Sequence, residues 1–273
     1  MNPRPVRLFL VALLAFTFQT ADAQSYRREG NYPPRVPPPG LFDRGVTFCR
    51  LMYYSDRGEP SGRGWSTDYP YAEINFMSRI AELTTTAVNF EGDVPNTYVV
   101  RPLDDALFGC PFLMASDVGT ARFTPEEGAR LRAYFAKGGF LWVDDFWGEW
   151  AWAQWTEEIQ KILPRPEYTM ADVPISDAML ATLYEMDHIP QITNIRFWRQ
   201  SGGRTTSERG AETATPHLRA IRDAKGRILV LMSHNTDVGD SWERETEDIE
   251  FFYKFAHDGY ALGINVFVHA MSH

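Results

Sequence analysis

The sequence predicts an α/β fold built on a mainly parallel sheet, and three observations carry that expectation. Short apolar runs, continuous instead of alternating, stand between glycines and turn residues, as in strands buried on both faces. Stretches with apolar residues at helical spacing separate these runs. The runs end on polar residues, and open α/β sheets bind ligands outside the carboxyl ends of their strands. Residues 138–150, GGFLWVDDFWGEW, show the pattern best. Two glycines feed the apolar run 140–143, which ends on Asp144 and Asp145 with Trp147 and Trp150 close behind.

The chain of 273 residues is long enough for a single large α/β domain, and its 44% hydrophobic content is that of a folded protein with a sizeable core. A net charge of −9 without clustered Lys and Arg argues against a nucleic-acid partner. Residues 1–23 read as a secretory signal peptide: Arg4 and Arg7 precede an apolar stretch from Leu8 to Phe18, and Ala21-Asp22-Ala23 fits a cleavage site before Gln24. Cleavage would take the net charge to −10 and leave no membrane span, so the mature chain is expected in the periplasm or outside the cell. Residues 24–44, rich in Pro, Arg and Gly, read as an extended linker without a core of its own, and residues 45–271 as the folded domain. Cys49 and Cys110 lie in or beside apolar runs, so two buried free thiols are expected, with one disulfide as the alternative for an exported chain.

In order, residues 46–53 have the β-branched and aromatic make-up of a first strand. The Gly-rich 55–70 reads as a flexible rim loop carrying Trp65; no GK[ST] follows, so it is not a phosphate loop. Ile74, Phe76, Met77, Ile80 and Ala81 place a helix over 71–83. Short strands follow at 97–100 and 111–115, the second ending at Ser116-Asp117. Thr124, Pro125, Glu126 and Glu127 form a helix start, Leu131, Tyr134 and Phe135 its buried stripe, and Lys137-Gly138 its end. After the 140–143 strand, Trp152, Trp155, Ile159 and Ile162 mark a helix over 149–162, with its aromatic stripe read as core. Residues 192–198 read as a strand and 201–215 as a mobile polar loop. Two arms, 218–221 and 228–232, flank Asp223-Ala224-Lys225-Gly226 as a hairpin. A helix capped by Asp240 or Ser241 is expected next, with Gly259 punctuating it and an apolar segment at 261–270.

Three apolar strands thus end in groups with chemistry: Asp117, then Asp144 and Asp145, then His234 and Asp237. A doubly wound sheet gathers such ends on one edge. Adjacent strand residues point to opposite faces, so Asp144 and Asp145 share a site only if the strand has turned. No G-x-S-x-G or G-x-C-x-G elbow is present, and Cys49 lies inside a strand, which leaves no evident nucleophile.

The phrases LFGCPFLMAS, FTP-EE-x3-LR-x-Y-x3-GGFL-x2-DD (residues 123–145), KGRILVLMSHNTD with Trp242, and the closing LGIN resemble the bacterial family DUF4159, a domain of unknown function. The resemblance implies a three-layer, flavodoxin-like sandwich similar to class I glutamine amidotransferases. It does not imply amidotransfer, since the cysteine elbow is missing. Such sequences carry a His-Pro after the long helix; here the corresponding place reads Asp172-Val173-Pro174. Two functional readings follow. In one, an aromatic edge of Trp65, Trp147, Trp150 and Trp242 grips a small molecule, glycan or protein, with Asp117, Asp144, Asp145, His234 and Asp237 orienting it. In the other, Asp144, Asp145, His234 and Asp237 hold a divalent metal for hydrolysis. The first is preferred because no ligand set with recognisable spacing appears.

Overall fold

The computed structural model describes residues 32–39 and 45–272. Residues 1–23, expected to be a signal peptide, lie outside the described residues, as does most of the expected linker. The centre is a seven-stranded sheet of β1 (Phe48–Leu51), β2 (Thr97–Val100), β3 (Phe112–Ser116), β4 (Phe140–Phe146), β5 (Met170–Asp172), β6 (His217–Arg222) and β7 (Ile228–His234). Their spatial order is β2-β1-β3-β4-β7-β6-β5. The first five are mutually parallel in the flavodoxin-like order, and β6 and β5 add antiparallel strands at one end. Strand direction of progress reverses between β1 and β3, which makes their carboxyl ends the topological switch point.

Helices cover both faces, so the molecule is a three-layer α/β sandwich. The α1 (Tyr71–Leu83), α5 (Val238–Glu243) and α6 (His257–Ser272) helices pack on one face through Phe76, Met77, Ile80, Trp242, Ile264 and Phe267. The α2 (Pro125–Ala136) and α3 (Gly148–Ile162) helices cover the other through Leu131, Phe135, Trp155 and Ile159. Two-sided burial is why the strands read as continuous apolar runs. The α2 helix starts with a full capping box, the Thr124 hydroxyl bonding Glu127 N–H and the Glu127 carboxylate bonding Thr124 N–H, as the sequence signals predict. Among the described residues no helix is long and apolar enough to cross a membrane.

Several expectations are corrected. Residues expected as a strand at 192–198 instead start α4 (Ile195–Ser201), because the Asn194 side chain caps it by accepting from Arg196 N–H. The helix after β7 is capped by Asp237, whose carboxylate accepts from Asp240 N–H at 2.9 Å, and not by Asp240 or Ser241. Gly259 lies inside α6 instead of ending a helix. Trp65, expected on a flexible rim, is buried. The expected mobile loop is anchored by Thr213, which has no exposed surface. Residues 32–39 run along the edge of the sheet, where Arg35 C=O accepts from Val99 N–H at 2.8 Å and so covers part of the β2 edge.

Two covalent or ionic ties secure the first strand. Cys49 and Cys110 form a disulfide with Cα atoms 5.9 Å apart, overturning the expectation of free thiols. A sequence separation of 61 residues gives the closed loop an entropic contribution of about 4 kcal/mol. Arg50, on the opposite face of β1, is fully buried. It pairs with Glu73 of α1 and donates to Thr67 C=O and Ser116 Oγ, both at 2.9 Å. Burial raises the Glu73 carboxyl, and Arg50 opposes that rise. Arg50→Met leaves Glu73 buried and alone, and a loss of about 3–5 kcal/mol is expected in urea unfolding. Adding Glu73→Leu should return part of that loss; equal stability of the single and double variants would show that the pair is not the cause.

Candidate functional site

The carboxyl edge of the sheet gathers an unusual density of buried acid. Asp117 follows β3, Asp144 and Asp145 end β4, Asp237 follows β7, and the 55–70 loop brings Asp68. Asp117, Asp144, Asp237 and Asp240 are at most 2% exposed and Asp68 8%. The backbone is bent to achieve this. Asp68, Asp117, Asp145 and Asn235 all sit at φ between 52° and 65°, the left-handed region that side chains rarely adopt. Such strain is held only where surrounding structure enforces it and clusters at functional sites.

A bulge resolves how neighbouring aspartates share one edge. The β7–β4 register passes from Met232 opposite Val143 to His234 opposite Phe146, so Asp144 and Asp145 together face Ser233. Asp144 accepts from Ser233 Oγ at 2.6 Å and from Gly239 N–H at 2.9 Å. Asp145 turns away and accepts from the Trp147 indole N–H at 2.9 Å. Asp117 N–H reaches the carbonyls of both Asp144 and Asp145, and its carboxylate accepts from Gly64 N–H at 2.7 Å. Asp117 and Asp145 line a small cleft with Glu59, Trp147, Asn194, Glu208 and Arg209. A Cβ at Gly62, also in the cleft wall, would overlap the Asp117 carboxylate.

Burial dominates the electrostatics. It pushes Asp117 up to about 7, with Glu59 adding to the rise, and Asp144 up to about 6 against its hydrogen bonds from Ser233 and Gly239. Burial first, then neighbouring carboxylates, raise Asp68, Asp145 and Asp237 well above the usual range. Burial likewise raises Glu208, whose carboxylate accepts from Asn194 N–H at 2.6 Å and Thr193 Oγ1 at 3.0 Å.

The chain belongs to the DUF4159 family. The family model, described as a domain of unknown function, matches residues 47–271, a span that holds every strand of the central sheet and every carboxylate of the edge. No curated protein matches the sequence.

Within this DUF4159 domain, the structure brings together Asp117, Asp144, Asp145, Trp147 and Asp237 of the residues expected at the edge. It sends two elsewhere. Trp242 is wholly buried, stacked on Phe76 with ring centroids 4.4 Å apart, so it belongs to the core. His234 follows the alternation of β7: Ser233 faces Asp144, and His234 therefore faces α3, where its ring packs on Phe146, Trp152 and His217. The four-residue metal set with His234 is thus not assembled. Sequence reasoning missed Asp68, Asp240 and Glu208. Asp68 and Glu208 lie in loops without periodicity, and Asp240 was legible only as a helix cap; the Asp237-x-x-Asp240 spacing at a strand end was the available signal.

Burial lowers the His234 imidazole to about 4, with Arg219 and His217 adding to the fall and its bond to Gly148 C=O opposing it. The unfolded chain therefore binds this proton first, and the stability contribution is full above about 6.5 and lost as pH falls toward 4. His234→Phe keeps the ring stack and removes the titration. Urea unfolding at pH 7 and pH 4.5 should show the variant losing less stability than wild type, by up to roughly 3 kcal/mol. Parallel pH profiles would contradict the assignment.

Proposed function

We propose that this domain is an exported glycan-binding module whose ligand lies across the mouth of the narrow cleft at the carboxyl edge of the sheet, against the face of Trp150. The observation that carries the reading is a carboxylate floor beside an exposed indole. Asp117, Asp145 and Glu208 line the cleft, and Trp150 next to it is 70% exposed. Arg57 links the two, lying 3.9 Å from the Trp150 ring centroid and 2.7 Å from the cleft residue Glu59. Carboxylates accept hydrogen bonds from sugar hydroxyls, and an indole offers a broad apolar face to the sugar ring. Metal-assisted hydrolysis by Asp144, Asp145, His234 and Asp237 has less support, because the imidazole faces α3.

A glycan array followed by calorimetry tests the reading. Asp145→Asn and Trp150→Ala should each weaken binding tenfold or more, about 1.4 kcal/mol, without lowering the melting temperature. A chain that binds no glycan, or variants that bind as wild type does, would sink it.

Export is supported by the N-terminal pattern and by the Cys49–Cys110 bond, since disulfides persist in oxidising compartments. Intact mass of the protein recovered from its native host should place the mature N-terminus at Gln24; a chain retaining residues 1–23 in the cytoplasm would refute export.

A further inference from the structure

We propose that Asp68, Asp237 and Asp240 hold a hard divalent cation of the Ca2+ or Mg2+ class, buried behind the cleft. This goes beyond the reading of the cleft as a binding site and stands apart from it. Each of the three aspartates offers one oxygen, and the three oxygens lie within 4.8 Å of one another. A cation about 2.3–2.6 Å from each, the distance Ca2+ keeps, spans that spread. An all-carboxylate donor set selects hard cations over zinc or copper.

A second, independent observation points to the ligand. Asp68 is 8% exposed, and its Oδ2 has no hydrogen-bond partner among the described residues. A buried carboxylate oxygen left without a donor is costly, and native structures rarely tolerate one without a role. That oxygen is aimed at the segment carrying the other two aspartates: a Cβ on Gly239 would lie 2.5 Å from it. Glycine between Asp237 and Asp240 is what permits the approach.

The surrounding charge does not supply the missing partner. Arg50 spends its Nε on Glu73 and its Nη1 on Thr67 C=O and Ser116 Oγ, and its Nη2 has no hydrogen-bond partner among the described residues, so it forms no bond to Asp68. Arg244 lies 3.5 Å from Asp240 and is shared with Glu243 and Glu247. Among the described residues Asp68 and Asp237 form no ion pair, while Asp144 bonds to Gly239 N–H and adds a further carboxylate beside them. The other carboxylate contacts fix the trio in place: Asp237 accepts from Asp240 N–H at 2.9 Å and Asp240 from Ile195 N–H at 2.7 Å. Ca2+ takes six to eight oxygens, so three protein oxygens leave positions for water.

The test is calorimetric titration of the mature chain, stripped with EDTA, with CaCl2, MgCl2 and MnCl2. One cation per chain is expected, with a rise in melting temperature on binding. Asp68→Asn should weaken binding tenfold or more. Asp105→Asn, which removes a fully exposed acid, should bind as wild type does. If Asp68→Asn does not fold, the electron spin resonance of Mn2+ added to wild type decides, with Ca2+ expected to displace it. No binding up to about 10 mM, weaker than extracellular calcium modules, would overturn the proposal. So would an Asp68→Asn variant that binds unchanged. Cation binding without glycan binding would remove the cleft reading alone; glycan binding in EDTA with no cation response would remove the cation alone.

Discussion

The strand edge depends on one buried cation, Arg50. It sits on β1, beside the edge strand β2, with no exposed surface, and its guanidinium reaches three separate pieces of chain: Glu73 on α1, the carbonyl of Thr67 in the 55–70 loop, and Ser116 at the end of β3. Those contacts hold the loop that delivers Asp68 against the strand end that delivers Asp117. A buried guanidinium is costly where its donors go unused; Nη2 of Arg50 has no partner among the described residues, so the bonds from Nε to Glu73 and from Nη1 to the loop carbonyls and Ser116 are requirements of the fold. The same pairing leaves little positive charge for the aspartates beyond it. Excess negative charge at the edge is thus built in with the scaffold.

Backbone strain does the second part of the work. A regular β4 would send Asp144 and Asp145 to opposite faces, one into the α1–α5 layer and one under α3. The bulge and the left-handed Asp145 rotate the second carboxylate out along the strand axis instead. Asp117 adopts the same conformation at the end of the neighbouring strand, and its N–H bonds to the two carbonyls at the bulge. Each left-handed residue costs on the order of 1–3 kcal/mol, and four of them meet here. The disulfide and the two large cores on either face of the sheet are what offset such a sum.

The fold was largely legible because its strands are buried on both faces. Continuous apolar runs at 111–115, 140–143 and 228–232 and the capping signals around Thr124 are local features, and the structure places strands and the helix start there. The helix at 71–83 was equally clear from its spacing. Residues 192–198 were not, since a short apolar stretch suits either state and only the Asn194 cap decides. The site was half legible. Strand-end carboxylates follow from topology, but His234 and Ser233 differ only in which side of β7 they occupy, and parity depends on a bulge that no local pattern announces. Trp242 looked like an edge aromatic, yet stacking on Phe76 and Trp142 makes it core. Asp68 and Glu208 reach the edge through loops whose paths are set by tertiary bonds, to Arg50 in one case and to Asn194 and Thr193 in the other.

The paired aspartates also explain why the edge has two compartments. Asp144, held by Ser233 and by Gly239 N–H, sits with the Asp68, Asp237 and Asp240 group. Asp145, one residue later, lines the narrow cleft with Asp117 and Glu208. One bulge therefore joins the two acidic groups through a single peptide bond. A charge placed in the enclosed group acts on Asp145 at close range in a medium of low dielectric, where it is felt more strongly than in water. The proposed ligand and the proposed cation would then be linked by the same backbone, and any change that straightens β4 would separate them.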